Sequence, residues 1–325
     1  MIQTDPPLPT MLAIIVNYRT GPLVVECLAS LENEVREMPG LQVVVVDNDS
    51  GDDSVPLIDS AIRMEGWGGW AELLASPVNG GFASGNNHAI RRALAGRNPP
   101  DLVWLVNPDT VIRPGAARTL AAFMRDRPRA GIAGSALQSA DGTPWPYAFR
   151  FPTILGETER GARLGLVSRL LSSHAIGRTM GQETARVDWV SGASMVIRRA
   201  VFDDAGLMDE GYFLYYEETD FCLQARRAGW ECWYVPQAVV LHISGQSTGV
   251  TAATTEPKRI PRYWFESRRR YFLKNHGRAY AIAADLGWAG MHMLWQVRRL
   301  AMLRRNPDPP RMLGDFLRNS ALFRA

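Results

Sequence analysis

Val43 to Gly51 reads Val-Val-Val-Val-Asp-Asn-Asp-Ser-Gly, four β-branched residues stopped by a run of short polar ones. A continuous apolar run of strand length, bounded by turn formers, marks a strand buried on both faces of a parallel sheet. Valine favours extended backbone, while Asp, Asn, Ser and Gly supply the turn. The strand therefore ends on a carboxylate, Asp47. The pattern recurs on either side. Leu12 to Val16 is apolar and is followed by Asn17, Tyr18, Gly21 and Pro22, then by apolar residues at helical spacing through Leu31. Proline in the first turn suits a helix start. Leu102 to Val106 ends on Asn107, Pro108 and Asp109, and Pro114 opens the next helical segment. Three strand-turn-helix units in succession predict an α/β domain with a mostly parallel, doubly wound sheet. Ligands of such sheets lie beyond the carboxyl ends of the strands. Asp47 and Asp109 are thus expected to face one crevice.

Downstream, the periodicity loosens through Gly131, Gly134, Gly142, Pro144, Pro146 and Pro152, and residues 131–185 read as a long flexible insertion with a short helix over Leu164 to Leu171. Regular pattern returns with a strand over Ser194 to Ile197, a helix over Glu217 to Ala228 and a last strand over Val239 to Leu241, just before His242. Two further helices are predicted over Tyr263 to Asn275 and Ala281 to Leu303. The first is basic and aromatic, and the second carries Trp288, Met291, Met293, Leu294 and Trp295. The division expected is an α/β domain over 1–260 and a basic, amphipathic helical extension over 261–325.

Composition agrees with a globular chain: 46% of the 325 residues are hydrophobic and 21% charged. The three cysteines, Cys27, Cys222 and Cys232, lack CxxC spacing, so neither a disulfide framework nor a zinc cluster is expected, and a reducing cytoplasm fits. Met1 to Thr10 lacks the basic-then-apolar layout of a secretion signal, which predicts no export. The net charge is only +3, yet arginines crowd the region after Lys258. That asymmetry suits an anionic partner or surface, or a solvated helix face. No nucleic-acid motif accompanies it. The apolar part of the last helix is too short and interrupted to span a bilayer, whereas an interfacial helix remains compatible with it.

Four clusters carry potential chemistry. Asp47 is an acceptor-only group suited to the ring N–H of a pyrimidine, with Asn48 and Ser50 shaping the turn, although such residues also cap helices. Asn79 to Asn87, NGGFASGNN, is the densest stretch of small and polar residues. Its glycines permit close approach of a phosphate or sugar, and without the lysine it is not a P-loop. Asp109, on a proline-fixed turn, suits Mg²⁺ or Mn²⁺ beside diphosphate oxygens, and His242 could add an imidazole. Glu217, Glu218 and Asp220 follow the aromatic run Tyr212 to Tyr216. Neighbours on a helix diverge by about 100°, so these acids must do different jobs. Crowded like charges in an aromatic setting raise a carboxylate's proton affinity, as a general base for a sugar hydroxyl requires.

Taken together, IIVNYRTGPLVVECLASL, VVVVDNDSGDDS, PVNGGFASGNNHAI, LVWLVNPDT, VSGASMVIRRAVFDDAGLMDEGYFLYYEETDFCLQARRAGW and LHISGQS resemble, in order and spacing, the bacterial family-2 inverting glycosyltransferases of the GT-A fold, particularly the rhamnosyltransferase-like group. The resemblance runs from Leu12 to Ser247. It implies a Rossmann-like GT-A domain with a nucleotide-binding half at about 10–130 and an acceptor-side half at about 186–250. Asp47 then resembles the base-recognising acid, with Val16, Asn17 and Tyr18 lining the nucleoside and Asn48 beside it. Asn79, Gly81 and Asn87 resemble the loop against ribose and sugar. Asn107 and Asp109 stand in the metal motif, here NPD instead of DxD, which makes His242 the implied second protein ligand.

The stretch EETD matches the family's ED-containing motif and implies Glu218 as the base, where many members have aspartate; Glu217 and Asp220 stay as alternatives. Gly192 and Ala193 resemble the acceptor-side turn, with Trp189 beside them, and Arg226 and Trp230 fit the motif's tail. The implied reaction is a single displacement using Mg²⁺ or Mn²⁺, with a dTDP- or UDP-linked sugar as donor and rhamnosyl the commonest group moved. The implied acceptor is a glycan or lipid-linked glycan of the cell envelope. Arg268, Arg269, Arg270 and Tyr271 suggest peripheral contact with the cytoplasmic membrane face, and an oligomer is compatible with all of this. A nicotinamide dehydrogenase would share the sheet but should show GxGxxG after the first strand, where this chain has NYRTG. A non-catalytic sugar-binding or lipid-surface module would bind nucleotide without turnover.

Overall fold

The computed structural model describes residues 7–139, 141–145, 148–242 and 257–324. Pro146 and the Ile243 to Ser247 tail of the last matched stretch lie outside the described residues. In chain order the elements are β1 (Met11–Asn17), α1 (Gly21–Glu37), β2 (Leu41–Asp47), α2 (Ser54–Met64), β3 (Ala71–Ala75), α3 (Gly81–Leu94), β4 (Leu102–Val106), β5 (Thr110–Ile112), α4 (Ala116–Asp126) and β6 (Ala130–Gln138). They continue with β7 (Ala148–Phe149), α5 (Ile154–Ala162), α6 (Gly165–Leu170), β8 (Gly177–Arg178), β9 (Ala185–Val187), β10 (Trp189–Val190), β11 (Ser194–Arg198), α7 (Arg199–Ala205), α8 (Glu217–Arg227), β12 (Glu231–His242), α9 (Arg262–His276), α10 (Arg278–Ala301) and α11 (Met312–Arg318).

The main sheet runs β3-β2-β1-β4-β11-β6-β12-β5, with β9 also paired to β12. Its first four strands are parallel. The valine strand β2 is buried along almost its whole length, as its unbroken apolar run predicts. Strand β11 then enters antiparallel between β4 and β6, so the second half is mixed. A shorter sheet of β10, β7 and β8 lies beside it.

Two readings of the sequence need correction here. Residues 130–138, counted with the insertion, form a buried central strand, β6. Its pattern looked loose because Gly131 and Gly134 leave room for neighbours: a Cβ at Gly131 would stand 2.7 Å from Trp230, and one at Gly134 2.6 Å from Val190. Glycine inside a strand marks such close approach. The last strand also begins at Glu231, well before Val239, because a register shift between Val235 and Val239, at Pro236, interrupts its pattern.

The C-terminal helices belong to the body of the protein. Helix α10 packs along α5. Arg268 of α9 is 3% exposed. Its Nε donates to Glu157 of α5 at 2.8 Å, and its Nη1 donates to Asp285 of α10. The guanidinium also lies over Phe272 and Phe316. Arg270 is paired with Asp209, and Tyr271 is fully buried. In the stretch expected to meet a membrane, Arg268 and Tyr271 are therefore internal, and the exposed Arg270 is engaged by Asp209. Replacing Arg268 by alanine would leave buried Asp285 without a cationic partner and Glu157 with Arg160 alone, and the expected loss, read by urea unfolding, is about 3–5 kcal/mol.

Candidate active site

Strand register explains the first cluster. Asn17 and Asp47 are Cα partners at the carboxyl ends of β1 and β2. Asn17 Nδ2 donates to Asp47 Oδ1 at 2.6 Å, and so does Ser50 Oγ at 2.6 Å. The Ser50 N–H donates to Oδ2 at 3.1 Å. Asp47 is 4% exposed and both of its oxygens are engaged, so it organises the turn. Asn17 is fully buried, and its Oδ1 receives the Thr20 N–H and hydroxyl. Asp47 Oδ2, with that single donor, keeps a lone pair, and an acceptor with no donor at all belongs to the next residue. Asn48 Nδ2 donates to Asn79 Oδ1 at 2.9 Å and to the Gly81 carbonyl at 3.1 Å, which leaves Asn48 Oδ1 buried without a partner. Tyr18, next to Asn17 in sequence, stands exposed, with the Arg19 guanidinium over its ring. Val16 packs where a Cβ on Gly85 would reach it at 2.7 Å.

The NGGFASGNN stretch is not a loop ahead of a helix; α3 starts at Gly81 within it. Asn79 Oδ1 accepts the Gly81 N–H at 3.0 Å, and Gly81 takes a left-handed φ of +86°. Any Cβ there would fall 1.8 Å from the Phe213 carbonyl, so only glycine fits. The next N–H, of Phe82, donates to that carbonyl at 3.0 Å. Asn87, expected near ribose, is fully buried and spends its amide elsewhere: Nδ2 donates to the Met208 carbonyl and to Glu210, each at 2.8 Å, and Oδ1 accepts the Met208 N–H. It clamps the segment leading to α8 and has no donor left for a ligand.

The second acidic turn is also set by register. In the β5–β12 pair His242 stands opposite Thr110, one residue from Asp109. His242 Nε2 consequently lies 3.3 Å from Asp109 Oδ1 and 3.5 Å from Asn107 Nδ2. Asp109 is 4% exposed, yet its Oδ1 has no hydrogen-bond partner. A buried carboxylate oxygen beside an imidazole fits a divalent cation whose other positions go to diphosphate oxygens and water. Among the described residues no group of three or more His, Cys, Asp or Glu converges, so protein ligands alone would not fill such a site.

The third cluster opens α8. Tyr215 and Tyr216 both take left-handed φ, 69° and 70°, in succession. Two such residues cost of order 1–3 kcal/mol each and tend to mark functional segments. They turn the chain so that Glu217 and Glu218 emerge at the helix start. Burial, then the charge of Glu218, push Glu217 well above the usual carboxylate range. Burial pushes Glu218 up to about 7, opposed by its own N–H and that of Gly192. Each keeps one oxygen, Oε2, without a hydrogen-bond partner. Asp220 differs. It accepts from Lys274 Nζ and Asn275 Nδ2, both at 2.6 Å, and so anchors α8 to α9, which removes it from the candidate bases.

The Gly192–Ala193 turn joins the last two clusters. The Ala193 carbonyl accepts the Asn107 N–H at 3.1 Å, while the Gly192 N–H faces the Glu218 carboxylate. A Cβ on Gly192 would meet the Phe82 ring at 2.9 Å, so α3 closes in from the third side. Trp189 stacks on Phe149 at 4.0 Å and donates to the Arg150 carbonyl, while Arg226 pairs with Asp188 and covers the Phe151 ring. These two brace the small sheet near α8. Phe82 and the left-handed backbone of Tyr215 and Tyr216 are contributions that residue type and spacing did not single out, and Asn48, expected beside the nucleoside, is the residue left with an unpartnered acceptor; only the Asn-Gly-Gly at Gly81 hinted at the close contact.

The family model described as "Glycosyltransferase like family 2" matches residues 7–268. The N-acetylglucosaminyl-diphospho-decaprenol L-rhamnosyltransferase of Mycobacterium tuberculosis is 28% identical over 304 residues, covering 90% of each chain. The dTDP-rhamnosyl transferase RfbF of Shigella flexneri is 25% identical over 267 residues, 81% of this chain and 80% of that one. Among solved structures, GalNAc-T7 with UDP, GalNAc and Mn²⁺ superposes with a TM-score of 0.61 at 14% identity, over 97% of this chain and 55% of that one. That likeness shows the GT-A fold. With 262 of 325 residues inside the matching model, the chain belongs to glycosyltransferase family 2.

Proposed function

We propose that this chain is an inverting, metal-dependent hexosyltransferase that moves rhamnosyl from dTDP-rhamnose to a hydroxyl of a lipid-linked glycan during cell-envelope polysaccharide synthesis. The observation that carries the reading is the Gly192–Ala193 turn, bonded on one side to the Asp109 turn and on the other to Glu218. A group that binds diphosphate and a group that takes a proton thus lie either side of one short segment. The relatives named for rhamnosyl transfer and for a decaprenol-linked substrate support the choice of donor and acceptor. Work on such an acceptor would occur at the inner face of the cell membrane.

In this reading Glu218 accepts the proton of the acceptor hydroxyl as that oxygen forms its bond to the anomeric carbon. The bond from that carbon to the diphosphate oxygen breaks on the opposite face, and its electron pair leaves with the nucleoside diphosphate. Raising Glu218 to about 7 matches its proton affinity to the task near neutral pH. In this reading Glu217, which burial and the charge of Glu218 push well above the usual carboxylate range, holds a proton and spares Glu218 a second adjacent charge. Asp109 and His242 would hold Mg²⁺ or Mn²⁺, which as a Lewis acid stabilises charge on the departing diphosphate. Asn48 Oδ1 is the acceptor for a pyrimidine ring N–H, with the Tyr18 ring as an exposed surface for the base. Because uracil and thymine share that N–H, a UDP-sugar is the second reading that this same atom favours.

Thermal-shift titration with dTDP, UDP and GDP plus Mn²⁺ tests the donor. Stabilisation by a pyrimidine diphosphate and not by GDP is expected, and preference for GDP would overturn the assignment. Glu218→Gln should leave nucleotide affinity unchanged while lowering transfer by about 10²–10⁴-fold. Since the base must be ionised, wild-type transfer should rise with pH through about 7 and fall below it. Asp109→Ala should weaken nucleotide binding in Mn²⁺ by about 10–100-fold. Its affinity without metal should match that of the wild type, and calorimetry with and without Mn²⁺ reads both.

A further inference from the structure

Helix α10 carries apolar residues on both faces, with Asp285 and His292 buried on the inner one as well. Ala281, Ala284, Trp288 and Ala289 point inward and are buried. At about 100° per residue, the opposite stripe carries Leu286, Met293, Leu294, Val297 and Leu300, which are 56%, 46%, 52%, 65% and 60% exposed. Just past the helix, Leu303 is 94% exposed. An exposed apolar stripe of this extent normally marks a surface that something covers. It cannot cross a bilayer, because no described helix is long and apolar enough. Short helix α6 adds Leu166 and Leu170, 73% and 72% exposed.

Charge says what covers this face. Between the two elements lies a cavity of about 320 Å³ lined by Arg163, Trp295, Arg298, Arg304 and Arg305, among others. Arg163 is held there by Asp308 at 2.6 Å and lies over the Trp295 ring. For Arg298, Arg304 and Arg305 there is no acidic partner among the described residues. From Leu286 to Pro307 the sequence has no Asp or Glu at all. Exposed leucines rimmed by unpaired arginines, with no acid between them, suit a surface that is apolar beneath an anionic layer.

We propose that the outer face of α10, with α6, docks onto an anionic phospholipid bilayer: Leu294, Val297, Leu300 and Leu303 enter the acyl boundary, and Arg298, Arg304 and Arg305 bind lipid phosphates, one of which occupies the cavity. The inference rests on the proposed lipid-linked acceptor for its purpose only; the surface itself is read from exposure and charge. It relocates the membrane contact from the stretch Arg268 to Tyr271, in which Arg268 and Tyr271 are buried and Arg270 is paired with Asp209, to the far end of the next helix.

The test is flotation of the full chain with vesicles of phosphatidylcholine alone and with about one third phosphatidylglycerol, alongside donor hydrolysis in solution. Binding to the anionic vesicles, weakened by salt, is expected, with little to the neutral ones. Reversing Arg298, Arg304 and Arg305 to glutamate should weaken it by about 100-fold, and Val297→Asp with Leu300→Asp should abolish it. Both variants should retain wild-type donor hydrolysis, which reports the intact fold and site separately. Equal binding to both vesicles, no binding to either, or variants that bind like wild type would overturn the proposal. So would a dimer in sedimentation that Val297→Asp dissociates while vesicles bind nothing, since the face would then cover a second copy. Loss of hydrolysis in the wild type with vesicle binding intact would instead count against the catalytic reading alone.

Discussion

The antiparallel entry of β11 between β4 and β6 is the constraint on which the site depends. In a sheet parallel throughout, the strand after β10 would start at the opposite edge, far from the acidic turns. Running backwards, β11 starts at the carboxyl end of β4, where Ser194 lies opposite Val106. The turn before it, Gly192–Ala193, is thereby set against Asn107 on one side and the start of α8 on the other. Hydrogen bonds donated by the Asn107 and Gly192 N–H groups then connect the turn of a buried carboxylate beside a histidine with the half-buried Glu218 and its buried neighbour Glu217. Each bond is modest in net terms, about 1 kcal/mol, but together they fix the distance over which chemistry has to occur.

Close backbone approach is what lets three segments meet there. Gly81, Gly85 and Gly192 each stand where a Cβ would strike Phe213, Val16 or Phe82. The polar residues nearby mostly spend their hydrogen bonds on one another: Asn17 with Asp47 and Ser50, Asn87 with Met208 and Glu210, Asp220 with Lys274 and Asn275. A few atoms are left over, Asn48 Oδ1, Asp109 Oδ1 and the Oε2 atoms of Glu217 and Glu218. Buried polar atoms without partners are costly, about 1–3 kcal/mol each, and a cluster of them at the end of a sheet is where a ligand repays that cost. The engaged residues hold the turns rigid, and the unpaired ones point to what the turns are for.

The C-terminal helices share in this rigidity. Lys274 of α9 grips Asp220 and Asp209, and Arg268 ties α9 to α5 and α10. Helix α8, which carries the glutamate pair, is thus braced from behind by the same helices whose outer face is apolar and basic. With α9 against α8 and α10 packed on α9, the membrane face proposed for α10 would hold the proposed site at a set orientation to a lipid-linked acceptor.

Much of the architecture was legible from local pattern. Unbroken apolar runs ending on short polar residues named β1, β2 and β4 and the turns after them, because a strand buried on both faces needs no partner information to be recognised. The order and spacing of the six motif stretches pointed to the family for the same reason: they are local. What sequence could not carry was any property set by register or by a neighbour. Strand β6 was hidden because its glycines serve Trp230 and Val190, which are distant in the chain. The meeting of His242 with Asp109 depends on the pairing of β5 with β12. The division of labour among Asp47 and Asn48, or among Glu217, Glu218 and Asp220, depends on which oxygens already hold a donor. Residue type determined which groups could act; tertiary contacts, by satisfying some of them and leaving others unpaired, decided which remain free to do so.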